Sequence, residues 1–114
     1  MANAFLSETD TGIGTSPATV FTCPSATETT IIGLTVANIE SSQVLVDVQL
    51  DASGRTSGAE DSVYLVKNAP VPAGSSLVVV GGSQKVVMEP GDEIVVTSDT
   101  AASIDVVLSH LDIT

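Results

Sequence analysis

The sequence has very little positive charge. Three Lys or Arg residues stand against fourteen Asp or Glu, which gives a formal net charge of −11 at pH 7. Nucleic-acid-binding proteins draw most of their affinity from cationic contacts to phosphate, so this composition excludes that class. The same charge is repelled by an anionic membrane surface. No apolar run approaches the roughly 20 residues that a membrane-spanning helix requires. We therefore expect no nucleic-acid partner and no membrane partner.

Cysteine is almost absent as well. Cys23 is the only cysteine among 114 residues, so neither an internal disulfide nor a zinc site built from several thiolates can form. The N-terminal stretch MANAFLSETD lacks the basic start and the apolar core of a secretion signal. These absences predict synthesis in a reducing cytoplasm.

Aromatic residues make up 3% of the chain and Trp is missing, whereas hydrophobic residues reach 43%. The core is therefore aliphatic. No segment shows the 3.6-residue period of an amphipathic helix, and β-branched residues are abundant. Three segments alternate with the period of a strand, and their predicted core-facing residues are Ile32, Leu34 and Val36; Val44, Val46, Val48 and Leu50; and Ile104, Val106 and Leu108. This pattern predicts antiparallel sheets with one buried face.

Turn-forming sequences separate the predicted strands at short intervals. They include PAG at residues 72–74, GGS at 81–83 and EPGDE at 89–93, and the polar stretch 51–61 is typical of an exposed loop. Eight or nine short strands at this spacing predict an all-β fold, a single antiparallel β-sandwich with jelly-roll topology. We expect an N-terminal arm over residues 1–14 and the β-sandwich domain over residues 15–114.

His110 is the only histidine, so any catalytic triad has to use it. Along its strand it is in phase with Leu108 and Asp112. The candidate nucleophiles are Ser103, Ser109 and Cys23. No nucleophile elbow or other catalytic motif surrounds any of them. We therefore predict a structural or interface role for His110 and a buried core position for Cys23.

Acidic residues cluster in two places, and carboxylates are the ligands that calcium prefers. The clusters are Glu89, Asp92 and Glu93 in the EPGDE turn, and Glu60 and Asp61 at the end of the polar stretch. Neither has the spacing of an EF-hand loop, and solvated turns explain both. We predict no catalytic, cofactor-binding or metal-binding residue, no cofactor, and a protein that is not an enzyme.

Apolar residues occupy both phases of several predicted strands, although one sandwich buries only one face of each sheet. The surplus residues are Leu45, Val78, Val79, Val80, Val107 and Leu111. Either loops and the N-terminal arm cover them, or another chain does. The second interpretation predicts a homo-oligomer.

The order of several segments resembles a group of small virion structural proteins of tailed bacteriophages, frequent in phages of cyanobacteria. The resemblance covers the chain from about Thr15 to Thr114. It depends on the succession of TVFTCP, IIGLTVAN, YLVKNAPVPAGSSL, VMEPGDEIVV and VVLSHLDIT. These motifs are strands and turns, so their order carries the specificity and no catalytic residue is carried over.

The resemblance implies a β-sandwich carried on a phage particle, made in the host cytoplasm and located in the virion. In one interpretation it is a capsid decoration or cement protein that binds the major capsid protein as a homo-oligomer. A trimer is favoured, because local three-fold positions on a capsid allow it to clamp neighbouring capsomers by avidity. The alternative is a tail, baseplate or fibre component, which touches other tail proteins or the host.

Overall fold

The computed structural model describes residues 3–55 and 62–114 of the chain. Within these ranges all regular structure is β-strand, and no helix is long and apolar enough to cross a membrane. The nine strands are β1 (Asn3–Ile13), β2 (Ala18–Thr22), β3 (Glu28–Asn38), β4 (Val44–Asp51), β5 (Val63–Val71), β6 (Ser76–Val80), β7 (Val86–Met88), β8 (Glu93–Ser98) and β9 (Ile104–Ile113).

The strands form two antiparallel sheets packed as a sandwich, which confirms the predicted fold class. The five-stranded sheet has the order β1-β9-β3-β6, with β7 also paired to β3, and the four-stranded sheet has the order β2-β8-β4-β5. Because β6 and β7 pair with different parts of β3, together they occupy one edge of their sheet. The chain passes repeatedly from one sheet to the other, and counting β6 and β7 as one position gives the strand order of an eight-stranded jelly roll.

Two of the alternating segments face the core in the predicted phase. In β4, Val44, Val46 and Val48 are completely buried and Leu50 is half-buried. In β9, Ile104, Val106 and Leu108 are buried, while the residues between them face outward. The inner faces of the two sheets form the core, and the core is aliphatic because most of the buried residues on these faces are Val, Ile and Leu.

The phase predicted for β3 is wrong at its first position. Ile31 is completely buried, whereas Ile32 is half-buried, although Ile32 was expected beside Leu34 and Val36. The register with β9 shifts between Ile31 and Gly33, which marks a β-bulge. A bulge adds one residue to a strand, so the alternation before it is displaced by one position.

The described part of the predicted N-terminal arm is a strand of the sandwich. Residues 3–13 form β1, which pairs with β9 along most of its length. Residue Ile13 is buried in the core, and the carbonyl of Gly14 accepts a hydrogen bond from the Ser98 amide at 2.9 Å. The segment is therefore an edge strand rather than a detached arm, because its backbone completes the pairing of β9.

The predicted turns are present with the expected hydrogen bonds. The amide of Ser75 donates to the Pro72 carbonyl at 3.0 Å, and the amide of Asp92 donates to the Glu89 carbonyl at 3.0 Å. Of the polar stretch predicted as a loop, Asp51 ends β4 and residues 52–55 follow it. Residues 56–61 lie outside the described part of the chain.

Candidate functional site

The outer surface of the five-stranded sheet carries a face of apolar and hydroxyl side chains. Strand registers place them in two rows across the sheet, Phe5–Leu111–Thr30–Val87 and Thr9–Val107–Thr35–Val78. We call these eight residues the apolar face. Its exposed hydrophobic members are Phe5 at 75%, Val78 and Val87 at 62% each, and Val107 at 43%. Several of the surplus apolar residues noted in the sequence therefore lie together on one sheet.

Charged side chains border the apolar face but do not enter it. Glu28 lies beyond the first row, where it is paired with Ile113, and Asp105 lies beyond the second, where it is paired with Ala37. Between them the two rows contain no ionisable side chain. In a chain of net charge −11, an exposed sheet surface without ionisable side chains is the kind of surface that contacts another molecule.

The outer surface of the four-stranded sheet is different. It carries the charged residues Asp47, Asp51, Lys67 and Glu93. The Lys67 ammonium lies 3.2 Å from Asp47 and 4.7 Å from the centre of the Tyr64 ring. The two sheets therefore present different chemistry to solvent, because the five-stranded sheet carries such charges only beyond the apolar face.

A chain of polar side chains runs through the interior beside the apolar face. The Nδ1 atom of His110 lies 2.7 Å from Asp112, and its Nε2 atom lies 3.0 Å from Glu8. Thr29 donates to the same Asp112 oxygen at 2.8 Å. The Cys23 sulfur lies 3.4 Å from the Thr29 hydroxyl. These contacts connect β9 with β1, with β3 and with the end of β2.

The His110 side chain is closed off from solvent, with an exposed fraction of 0%. The Phe21 ring covers it, with ring centres 4.2 Å apart. A protonated imidazole donates to both carboxylates, whereas a neutral ring donates to only one of them. The arrangement anchors the edge strand β1 through Glu8, which fits the structural role predicted for His110.

The structure does not bring His110 together with the nucleophiles considered from the sequence. Ser109 lies on the opposite face of β9, and Ser103 is engaged at the other end, where its hydroxyl donates to the Thr100 carbonyl at 2.7 Å. Cys23 is buried in the core, 2% exposed, and is separated from His110 by Thr29 and Asp112. Burial raises the pKa of the Cys23 thiol, which keeps it protonated near neutral pH.

The acidic turn holds an arginine. Arg55 donates to both carboxylate oxygens of Asp92, at 3.0 Å from Nε and 2.5 Å from Nη2, and its Nη1 lies 3.3 Å from Glu89. Asp92 is completely buried, and Glu93 accepts a hydrogen bond from the Thr19 hydroxyl at 3.0 Å. Among residues 3–55 and 62–114, no group of three His, Cys, Asp or Glu side chains could hold a metal ion. Glu60 and Asp61 lie outside those ranges.

Sequence reasoning missed two residues that complete these clusters. Glu8 lies 102 positions before His110, and nothing in its surroundings marks it as a partner. Arg55 carried a usable signal, because it is the only arginine in an acidic chain and an isolated guanidinium usually has a carboxylate partner. Its position in the polar stretch concealed that role.

No known protein-family profile matches the sequence, and no curated protein is similar to it at a significant level. Among solved structures, the chain is similar to a protein of Bacillus endospore appendages, described as a novel family of disulfide-linked pili. The TM-score is 0.56 with 13% sequence identity, over 99% of this chain and 87% of the other. At this identity the likeness shows the shared β-sandwich fold.

Proposed function

We propose that this protein is a virion structural protein, a capsid decoration or cement protein that binds the outer capsid surface as a homo-oligomer. The observation that carries the proposal is the uncharged apolar face on an otherwise acidic molecule. The order of motifs in the sequence resembles that of virion proteins of tailed phages. This resemblance indicates a phage particle as the surface to which the protein binds. Synthesis takes place in the host cytoplasm and the final location is the virion.

The charge distribution of the two sheets fits this role. Burying the apolar face against the major capsid protein contributes about 25 cal/mol per Å² of apolar surface removed from water. The acidic outer surface of the four-stranded sheet then faces solvent and keeps the particle soluble. A capsid repeats the same site many times, so contacts that are weak individually become effective when several are made by one oligomer. The trimer expected from capsid symmetry stays a prediction.

The copy number in purified particles tests the capsid role. Quantitative mass spectrometry of virions that carry this protein measures its ratio to the major capsid protein. We expect a ratio near one to one. A ratio that corresponds to a few copies per particle would move the protein to the tail, baseplate or fibre, and its absence from particles would refute a virion role.

A pair of matched variants tests the surface. Thr35 and Thr97 are both half-buried threonines that face outward from a central strand, Thr35 on the apolar face and Thr97 on the four-stranded sheet beside Asp47. We expect Thr35→Lys to abolish binding of the purified protein to particles, because it places a cation among apolar contacts. Thr97→Lys should bind like the natural protein. Equal binding by both variants would exclude the apolar face as the contact.

A second candidate function is a subunit of an extracellular fibre, and the fold shared with the endospore pilus protein favours it. That neighbour is described as disulfide-linked, whereas this chain has one cysteine and its sulfur is buried. One cysteine can link two subunits but cannot continue a covalent chain of them. A fibre of this protein would therefore not be held together by disulfides along its length. Electron microscopy of the concentrated protein tests this candidate, since filaments would favour it and dispersed particles would contradict it.

A further inference from the structure

The four edges of the two sheets differ in how they are protected against pairing with another strand. An unprotected edge presents unpaired backbone groups, and proteins block it with lysine, proline, bulges or short strands. β5 carries Lys67 and Pro70, and between them Asn68 has a φ of 51°, which interrupts its edge. β2 has five residues and a register shift between Thr19 and Phe21. The edge formed by β6 and β7 is divided by the Gly81–Lys85 turn.

β1 is the exception among the described edges. It has 11 residues, with no proline, lysine or arginine, and its first part is exposed. Phe5 is 75% exposed and Leu6 is 48% exposed, on opposite faces of the strand. Its second part is protected, because Glu8 and Asp10 add negative charge and the register with β9 shifts after Asp10. The unprotected segment is therefore Asn3–Ser7, which carries no charge.

We propose that two copies of this protein pair through this segment, with β1 of one copy antiparallel to β1 of the other. The two five-stranded sheets then become one continuous sheet, and the two apolar faces become one larger face. A two-fold axis through such a pair makes the same surface serve both copies. The pairing stands independently of the virion role, and it favours two copies as the unit rather than three.

The charges of β1 determine the register. Residues directly opposite each other in a sheet have side chains on the same face. In a pair with two-fold symmetry, one residue of the strand therefore lies opposite its own copy, and the axis passes between these two copies. With Phe5 at the centre, every residue of the uncharged segment Asn3–Ser7 lies opposite a residue of the same segment in the other copy. The two copies of Glu8 then lie about 20 Å apart, at about 3.4 Å per residue, which is twice the Debye length of about 8–10 Å in physiological salt. A centre on Ser7 would bring them to about 7 Å.

Cysteine cross-linking tests the register. Opposite residues in antiparallel strands have Cα atoms about 4.5–5.5 Å apart, within the range of up to about 7 Å that a disulfide can bridge. Phe5→Cys should therefore form a disulfide-linked dimer under mild oxidation, at least about ten times faster than Ser7→Cys. The Ser7 copies lie about 14 Å apart along the strands. Mixing Asn3→Cys with Ser7→Cys should link the two variants to each other.

The natural protein is the control for Cys23, whose buried sulfur should form no cross-link. Sedimentation at high protein concentration gives the second readout. We expect the mass of the natural protein to rise from 11.5 kDa towards twice that value. The Val87→Lys variant should show the same rise, whereas the Phe5→Lys variant should stay at the mass of one copy. Both residues are exposed on the apolar face, so only the edge pairing distinguishes them. Equal cross-linking of the Phe5 and Ser7 variants, a trimer, or a loss of association in both lysine variants would overturn the pairing.

Discussion

The contact between Gly91 and the loop after β4 gives a quantitative prediction. Gly91 is the third residue of the Glu89–Asp92 turn and has a φ of 92°. A Cβ atom added there would lie 2.8 Å from the Gly54 carbonyl carbon and would contact the Gly54 oxygen at a still shorter distance. Gly74 occupies the same position in the Pro72–Ser75 turn, with a φ of 68°, and a Cβ atom there would have nothing within 4 Å. The two glycines are therefore a matched pair.

The expected magnitudes follow from these surroundings. Gly74→Ala adds only the strain of a left-handed alanine, about 1 kcal/mol. Gly91→Ala adds the same strain and also forces the Gly54 backbone outward, and such overpacking costs about 1–3 kcal/mol. The total for Gly91→Ala is about 2–4 kcal/mol, a large part of the 5–15 kcal/mol that stabilises an ordinary domain. Movement of Gly54 also shifts the neighbouring Arg55 away from Asp92.

Urea denaturation followed by circular dichroism measures both variants, because the chain has no Trp to serve as a fluorescent probe. The free energy of unfolding in water comes from linear extrapolation. We expect Gly91→Ala to be less stable than Gly74→Ala by about 1–3 kcal/mol. If the two variants agree within about 0.5 kcal/mol, which separates real effects from ordinary surface substitutions, the reasoning from the Gly54 contact is refuted.

Three further predictions concern charged and reactive side chains. In calorimetry, Arg55→Met should lower the melting temperature clearly more than Lys67→Met. The first variant leaves the buried Asp92 without its cation, whereas Lys67 makes only an exposed ion pair. Equal shifts in melting temperature would contradict this expectation. Hydrogen bonds from Ser side chains and a backbone amide lower the pKa of Asp51 below its ordinary value of 3.8. Its contribution is therefore present above that pH and lost as the pH falls through the folded pKa, so Asp51→Asn should be the less stable protein at pH 7 by an amount that shrinks below pH 4. A constant difference at all pH values would argue against it. The buried Cys23 thiol should react with a maleimide only as fast as the protein unfolds. Mass spectrometry of the labelled protein with and without urea measures this rate. Rapid labelling of the folded protein would show instead that the thiol is accessible.

Much of the fold was predictable from the sequence for local reasons. Alternation of apolar residues follows from the two-residue period of a strand, which determined the buried faces of β4 and β9. Turn residues act over a few positions, so PAG and EPGDE located their turns correctly. The prediction failed at Ile31 and Ile32 because a bulge depends on the partner strand, and no local pattern marks it.

The sites could be predicted from the sequence to a much smaller extent. The surplus of apolar residues was visible along the chain, but only the pairing of β1, β9, β3, β6 and β7 showed that several of them form one face. The partners of His110 came from both ends of the chain, with Glu8 on β1 and Asp112 on β9. Sequence by itself therefore determined the strands, the turns and the acidic, aliphatic character of the protein, since these depend on neighbouring residues and composition. Tertiary structure alone decided which surplus apolar residues form one face, which edge is unprotected and which side chains touch, because each of these requires residues distant in sequence to be placed side by side.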